Sequence, residues 1–100
     1  MAQNEFRPVT PGEMLKEEFL AEYRLSQNRL AKLIGISPNR IADIVNNRRR
    51  ITADTALRLS LYFGNSPEFW MNLQTHYDLK MARRNLKAED AKRIKAIRAA

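Results

Sequence analysis

The sequence predicts an all-α protein, with five helices forming one domain and an additional short helix at the C-terminus. Three observations carry that expectation. Leu, Ile, Ala, Lys, Arg and Glu dominate the 100 residues, and the β-branched or aromatic runs that favour strands are scarce. Ser or Thr followed by Pro recurs at Thr10 and Pro11, Ser37 and Pro38, and Ser66 and Pro67. Each pair sets a capping hydroxyl before a residue whose missing N–H costs nothing at the first helical position. Apolar side chains then repeat at helical intervals. A chain this short buries a core only if most of its elements share it. One domain is therefore expected over residues 11–80, between an N-terminal arm at 1–10 and a basic C-terminal helix or tail at 81–100.

The first helix is expected at about residues 11–23. Thr10 has Glu13 three residues on, the spacing of a capping box, and Leu15 and Phe19, with Met14 and Tyr23 beside them, mark its buried face. Ser26 caps a second helix from Gln27 to about Ile34, and Gly35 stops it by entering the left-handed conformation. The third runs from Pro38 to about Asn46. A fourth follows Thr52, carries Ala53, Leu57 and Leu61 one turn apart, and ends before Gly64. The fifth follows Ser66 and bears Phe69, Trp70, Leu73 and Tyr77. This wide stripe suits core packing, shared in part with a dimer interface. Neighbouring helix residues cannot point the same way, so one of Phe69 and Trp70 is available to a partner. Residues 88–98 complete the chain as a short basic helix with a narrow stripe of Ala91, Ile94 and Ile97.

The charge balance narrows the functional classes. With 18 Lys and Arg against 11 Asp and Glu, the formal net charge is +7, which suits a polyanionic partner or simply solubility. The absence of cysteine excludes disulfides, thiolate nucleophiles and cysteine metal sites, and fits a reducing compartment. No apolar run approaches the roughly 18 residues of a membrane span, and the N-terminus lacks an apolar signal stretch; a cytoplasmic protein with no membrane contact is expected. His76 is the single histidine and has no Cys or carboxylate cluster at ligand spacing. Glu17 and Glu18 read as a solvated helix face. No catalytic set, glycine-rich phosphate loop or cofactor motif is present, so no enzyme, cofactor or metal is expected.

The informative stretch is SQNRLAKLIGISPNRIADIVN, residues 26–46, where two short helices flank Gly35, Ile36 and Ser37. So short a turn makes the helices cross steeply, so their inner faces must be apolar. Leu30, Leu33, Ile34, Ile36, Ile41 and Ile44 supply those faces, and Ala31 the small residue at the closest approach. The arrangement resembles the helix-turn-helix of phage-repressor-like proteins, in which the second helix lies in the major groove. The expected DNA-contacting residues are Gln27, Ser37, Asn39, Arg40, Asp43, Asn46, Arg48 and Arg49. Asn39 suits a bidentate bond to adenine, and Arg40 a bond to guanine or phosphate. Asp43 either accepts from a cytosine amino group or orients Arg40. Gln27 sits where the supporting helix grips a phosphate. Asn46, Asn47, Arg48, Arg49 and Arg50 follow as a basic loop suited to the DNA backbone, with a steep salt dependence expected.

The likeness reaches further. PGEMLKEEFL at 11–20, SQNRLAKLIGISPNRIADIVNNRR at 26–49, ITADTALRL at 51–59 and YFGNSPEFWMNLQTHYDL at 62–79 together look like the HigA (VapI-like) family of addiction-module antidote proteins. The resemblance implies a type II antitoxin that forms a homodimer and represses its own promoter at a palindromic operator in double-stranded DNA. It also implies a partner: a HigB-like toxin, an mRNA-cleaving nuclease of RelE-like fold, neutralised by direct binding. The alternative is a stand-alone helix-turn-helix repressor without a toxin, and an adjacent small basic reading frame separates the two. The final basic helix is open to DNA contact, toxin contact or no docking at all.

Overall fold

A computed structural model of the chain describes residues 9–99. The expected arm at 1–10 therefore lies, apart from Val9 and Thr10, outside the described residues. Among the described residues there are six helices and no strand: α1 at residues 11–23, α2 at Gln27–Ile34, α3 at Pro38–Val45, α4 at Ala53–Phe63, α5 at Pro67–Asn85 and α6 at Ala88–Ala99. The caps read from the sequence are in place. Thr10 and Glu13 form the reciprocal capping box. The hydroxyls of Ser26, Ser37, Thr52 and Ser66 each accept the backbone N–H three residues on. Gly35 closes α2 and Gly64 closes α4, both in the left-handed region. α5 runs on through Asn85, so residue 80, expected as the end of the domain, falls inside it.

α1 departs from a regular helix. Pro11–Met14 and Ala21–Tyr23 are α-helical, but Leu15–Leu20 forms a π-helical turn, with the Ala21 N–H donating to the Lys16 carbonyl. A π turn brings residues five apart onto one face, so Leu15 and Leu20 are the buried pair, while Tyr23 is 48% exposed rather than on the buried face. α1 also lies directly against the end of α3. A Cβ at Gly12 would fall 2.0 Å from the Ile44 carbonyl oxygen, so only glycine fits this crossing.

The core gathers Leu15, Leu30, Ile41, Ile44, Ile51, Leu59 and Trp70, all nearly or fully inaccessible. Phe19 rings it with aromatic contacts to Phe63, Phe69 and Trp70 at centroid separations of 4.9, 5.9 and 4.9 Å. Two expectations about faces are corrected. Leu33, placed in the core from its spacing, is 43% exposed, because α2 packs through Leu30, Ala31 and Ile34 instead. On α4 the buried face is Thr55, Ala56, Leu59, Ser60 and Phe63, while Leu57 and Leu61 point outward, Leu61 at 84% exposure. α4 is apolar on two sides, and the neighbouring helices select the side that ends in Phe63. α6 buries none of its residues, and Ile94 and Ile97 of its apolar stripe are exposed.

Candidate nucleic-acid interface

Ile41, Ile44 and Val45 press one face of α3 into the core, which turns the other outward. Ser37, Pro38 and Asn39 are exposed at its N-terminus, Arg40 and Asp43 half-buried beside them, and Gln27 half-buried at the start of α2. The Ser37 hydroxyl is already engaged, accepting from the Arg40 N–H at 3.1 Å. The first turn of α3 is therefore stiff, and its unpaired backbone donors and dipole favour an anion in front of it.

Arg40 does not pair with Asp43. Its Nη1 donates to Asp54 Oδ2 and Thr55 Oγ1, both at 3.4 Å, on the first turn of α4. Asp43 instead faces the basic loop, with Arg48 Nε at 3.6 Å and Arg49 Nη2 at 3.8 Å. Of the two roles open to Asp43, orienting Arg40 is thus not the one seen: α4 brings the Asp54 carboxylate to Arg40, and Asp43 turns to the loop arginines. Both loop arginines are more than half exposed, and exposed pairs of this kind contribute at most about 1 kcal/mol. Their guanidiniums are therefore only weakly held by Asp43.

The loop at 46–50 leaves α3 through Asn47, whose φ of 63° lies in the left-handed region that Asn tolerates. The Asn47 N–H donates to the Ile44 carbonyl and the Arg48 N–H to the Asp43 carbonyl, satisfying the last turn of α3. Three bonds then tie the loop to α5. Asn47 Nδ2 donates to the Tyr77 hydroxyl at 3.2 Å, Arg50 pairs with Asp78, and the Ile51 N–H donates to Gln74 Oε1 at 2.9 Å. Gln74 is 5% exposed, and its Nε2 donates in turn to Asp78 Oδ1. Asn46, Arg48 and Arg49 are held exposed at the end of α3 by this scaffold.

Of the four residues assigned to a dimer interface, Trp70 is fully enclosed by its own chain, with Nε1 donating to Asn65 Oδ1 at 3.1 Å. Tyr77 supports the basic loop, and Phe69 and Leu73 are half-buried against the core. The aromatic pair thus divides as adjacent helix positions require, with Trp70 inward and Phe69 nearer the surface. Sequence reasoning missed Asp54, Thr55, Arg58, Gln74 and Asp78. Asp54 and Arg58, an acid four residues before a base, and Gln74 and Asp78 at the same spacing carried a local signal, whereas Thr55 carried none. Among the described residues no group of His, Cys, Asp or Glu could hold a metal ion, and no helix is long and apolar enough to cross a membrane.

Comparison with known proteins sets this geometry in context. A helix-turn-helix family model matches residues 15–70. Virulence-associated protein I of Dichelobacter nodosus is 54% identical over 80% of this chain and 74% of its own length. Antitoxin HigA-1 of Vibrio cholerae is 38% identical over 97% of this chain and 90% of its own. Among solved structures, the Pseudomonas aeruginosa antitoxin HigA with higBA promoter superposes with a TM-score of 0.77 at 43% identity, covering 90% of this chain and 94% of that one.

Proposed function

The chain belongs to the helix-turn-helix family, among its HigA- and VapI-like members, and we propose that it is a dimeric antitoxin that binds its own operator and a toxin. Two of the relatives are antitoxins by name, and one of them is solved with promoter DNA. The observation that carries the proposal is the outward N-terminal half of α3 beside a fixed basic loop, in a chain 43% identical to a HigA solved with promoter DNA. α3 enters the major groove, where Asn39 bonds an adenine edge and Arg40 a guanine or a phosphate. Gln27 and Ser37 meet phosphates at the two helix N-termini, and Asn46, Arg48 and Arg49 grip the backbone alongside. Asp43 holds the loop arginines until DNA replaces it.

Two such helices about one DNA turn apart match a palindromic operator, which gives dimerisation a mechanical purpose. α5 and the chain beyond it supply the second-copy surface: Phe69 and Leu73 are partly open, and Leu79, Leu86, Ile94 and Ile97 are exposed along an otherwise basic stretch. Residues 11–80 then act as the DNA-binding domain and 81–100 as the associating tail. The partner is a HigB-like mRNA-cleaving toxin, neutralised by direct binding in the cytoplasm. The test is growth of cells expressing the small reading frame beside this gene, with and without this protein. Arrest relieved by co-expression is expected. A neighbour that is verifiably made and harmless leaves a DNA-binding repressor alone.

A further inference from the structure

Arg40 is one member of a chain of contacts that ties the two helices of the motif to α4. Arg58 Nη1 donates to the carbonyls of Ile34 and Gly35 at 2.8 and 3.3 Å, closing the C-terminus of α2 where carbonyls lack partners. The Nε of the same guanidinium donates to Asp54 Oδ2 at 3.0 Å. That oxygen also receives Arg40 Nη1, which reaches Thr55 Oγ1 as well. Asp54 is thereby fixed from behind by a residue anchored on α2, and it fixes in front a residue of the groove-facing helix.

We propose that Asp54 is a specificity-determining residue that positions Arg40 for base reading, with Arg58 as its support. This rests on the DNA-binding function proposed above. The chemistry follows from the donors. An arginine carries five N–H groups in a rigid fork, and both contacts to α4 run through Nη1. The Nε and Nη2 donors have no partner among the described residues, and a guanine presents two acceptors, O6 and N7, to such a pair. A guanidinium held at one corner offers the remaining edge in one orientation, so a misplaced base loses both bonds. Released from Asp54, the same side chain reaches phosphates on either side, which carry no sequence information. The carboxylate, 59% exposed, also repels phosphates that approach out of register.

The experiment begins with selection of preferred duplexes from a random-sequence library by the full chain. Binding to the enriched duplex and to a scrambled duplex of equal length is then compared across a salt series. Asp54→Asn is expected to reduce discrimination between the two about tenfold, the scale of one bidentate contact. The loss should fall at the same base pairs that Arg40→Ala relaxes, with the salt slope for the scrambled duplex unchanged or steeper. In an Arg40→Ala background Asp54→Asn should cost no further discrimination at those base pairs. Unaltered discrimination in Asp54→Asn overturns the proposal, as does a loss that persists at full size without Arg40. Should Asp54→Asn fail to fold, Arg58→Ala removes the guanidinium that holds the carboxylate from behind and is judged by the same comparison. No enrichment by the natural protein overturns the DNA-binding function itself, a different result from enrichment with an indifferent Asp54.

Discussion

Replacing Gly12 by Ala measures how closely the position of α3 depends on α1. The added Cβ would lie 2.0 Å from the Ile44 carbonyl oxygen and 2.9 Å from that of Val45. Both are backbone atoms, so no rotamer change relieves the overlap, and the helices must part until 2.0 Å exceeds 3.0 Å. A gap of about 0.5–1 Å already forfeits about a quarter to a half of each dispersion contact across a seam, and at this one Gly12 opposes the fully buried Ile44. Overpacking of this kind costs about 1–3 kcal/mol, and the better helix propensity of Ala returns less than about 1 kcal/mol. With the loosened seam a net loss of about 2–3 kcal/mol is expected, or about 10–20 °C in Tm for a domain of this size. Thermal and urea denaturation followed by circular dichroism read it directly. Gly64→Ala is the control: at φ +83° with nothing within 4 Å, it incurs only left-handed strain of about 1–2 kcal/mol. A Gly12→Ala protein as stable as the natural one, or a larger loss at Gly64, refutes the reasoning.

Three further outcomes are expected. Ile41→Ala, at a fully buried position, should cost about 2–5 kcal/mol, whereas Leu33→Ala, on the open face of α2, should cost less than about 1 kcal/mol by urea titration. Gln74→Ala strips the buried Ile51 N–H of its acceptor and should cost about 1–3 kcal/mol, with faster amide exchange at Ile51 as its signature. Arg48→Ala should leave the denaturation midpoint in place and lower the slope of log K against log salt by about 1, measured by fluorescence anisotropy on duplex DNA.

The helix boundaries were legible because their signals are local. A Ser or Thr hydroxyl and a Pro act within one turn, and all three Ser/Thr-Pro pairs open helices where expected. The outward placement of Ser37 and Asn39 followed for the same reason. Faces were harder. On α4 the period of Leu57 and Leu61 is as good as that of Ala56, Leu59 and Phe63, and only the neighbouring helices choose between them. The π turn in α1 escaped because a regular 3.6-residue wheel separates Leu15 from Leu20. Gly12 and Gln74 looked unremarkable in sequence, since one is defined by a carbonyl more than thirty positions away and the other by the Ile51 N–H. Ion-pair partners were least legible. Arg40 chose Asp54 over Asp43 because α4 crosses beside it, which no spacing along the chain encodes.

α6 buries none of its 12 residues, and that sets its behaviour in time. Isolated helices shorter than about 12–15 residues are marginal in water, so in a lone protomer this segment opens at free energies near zero while α3 and α4 open only with the whole domain. Its amides should exchange with solvent long before those of the core. Any docking that fixes the segment must first offset the conformational entropy of ordering it. The contact that results is broad, modest in affinity for its area, and quick to reverse.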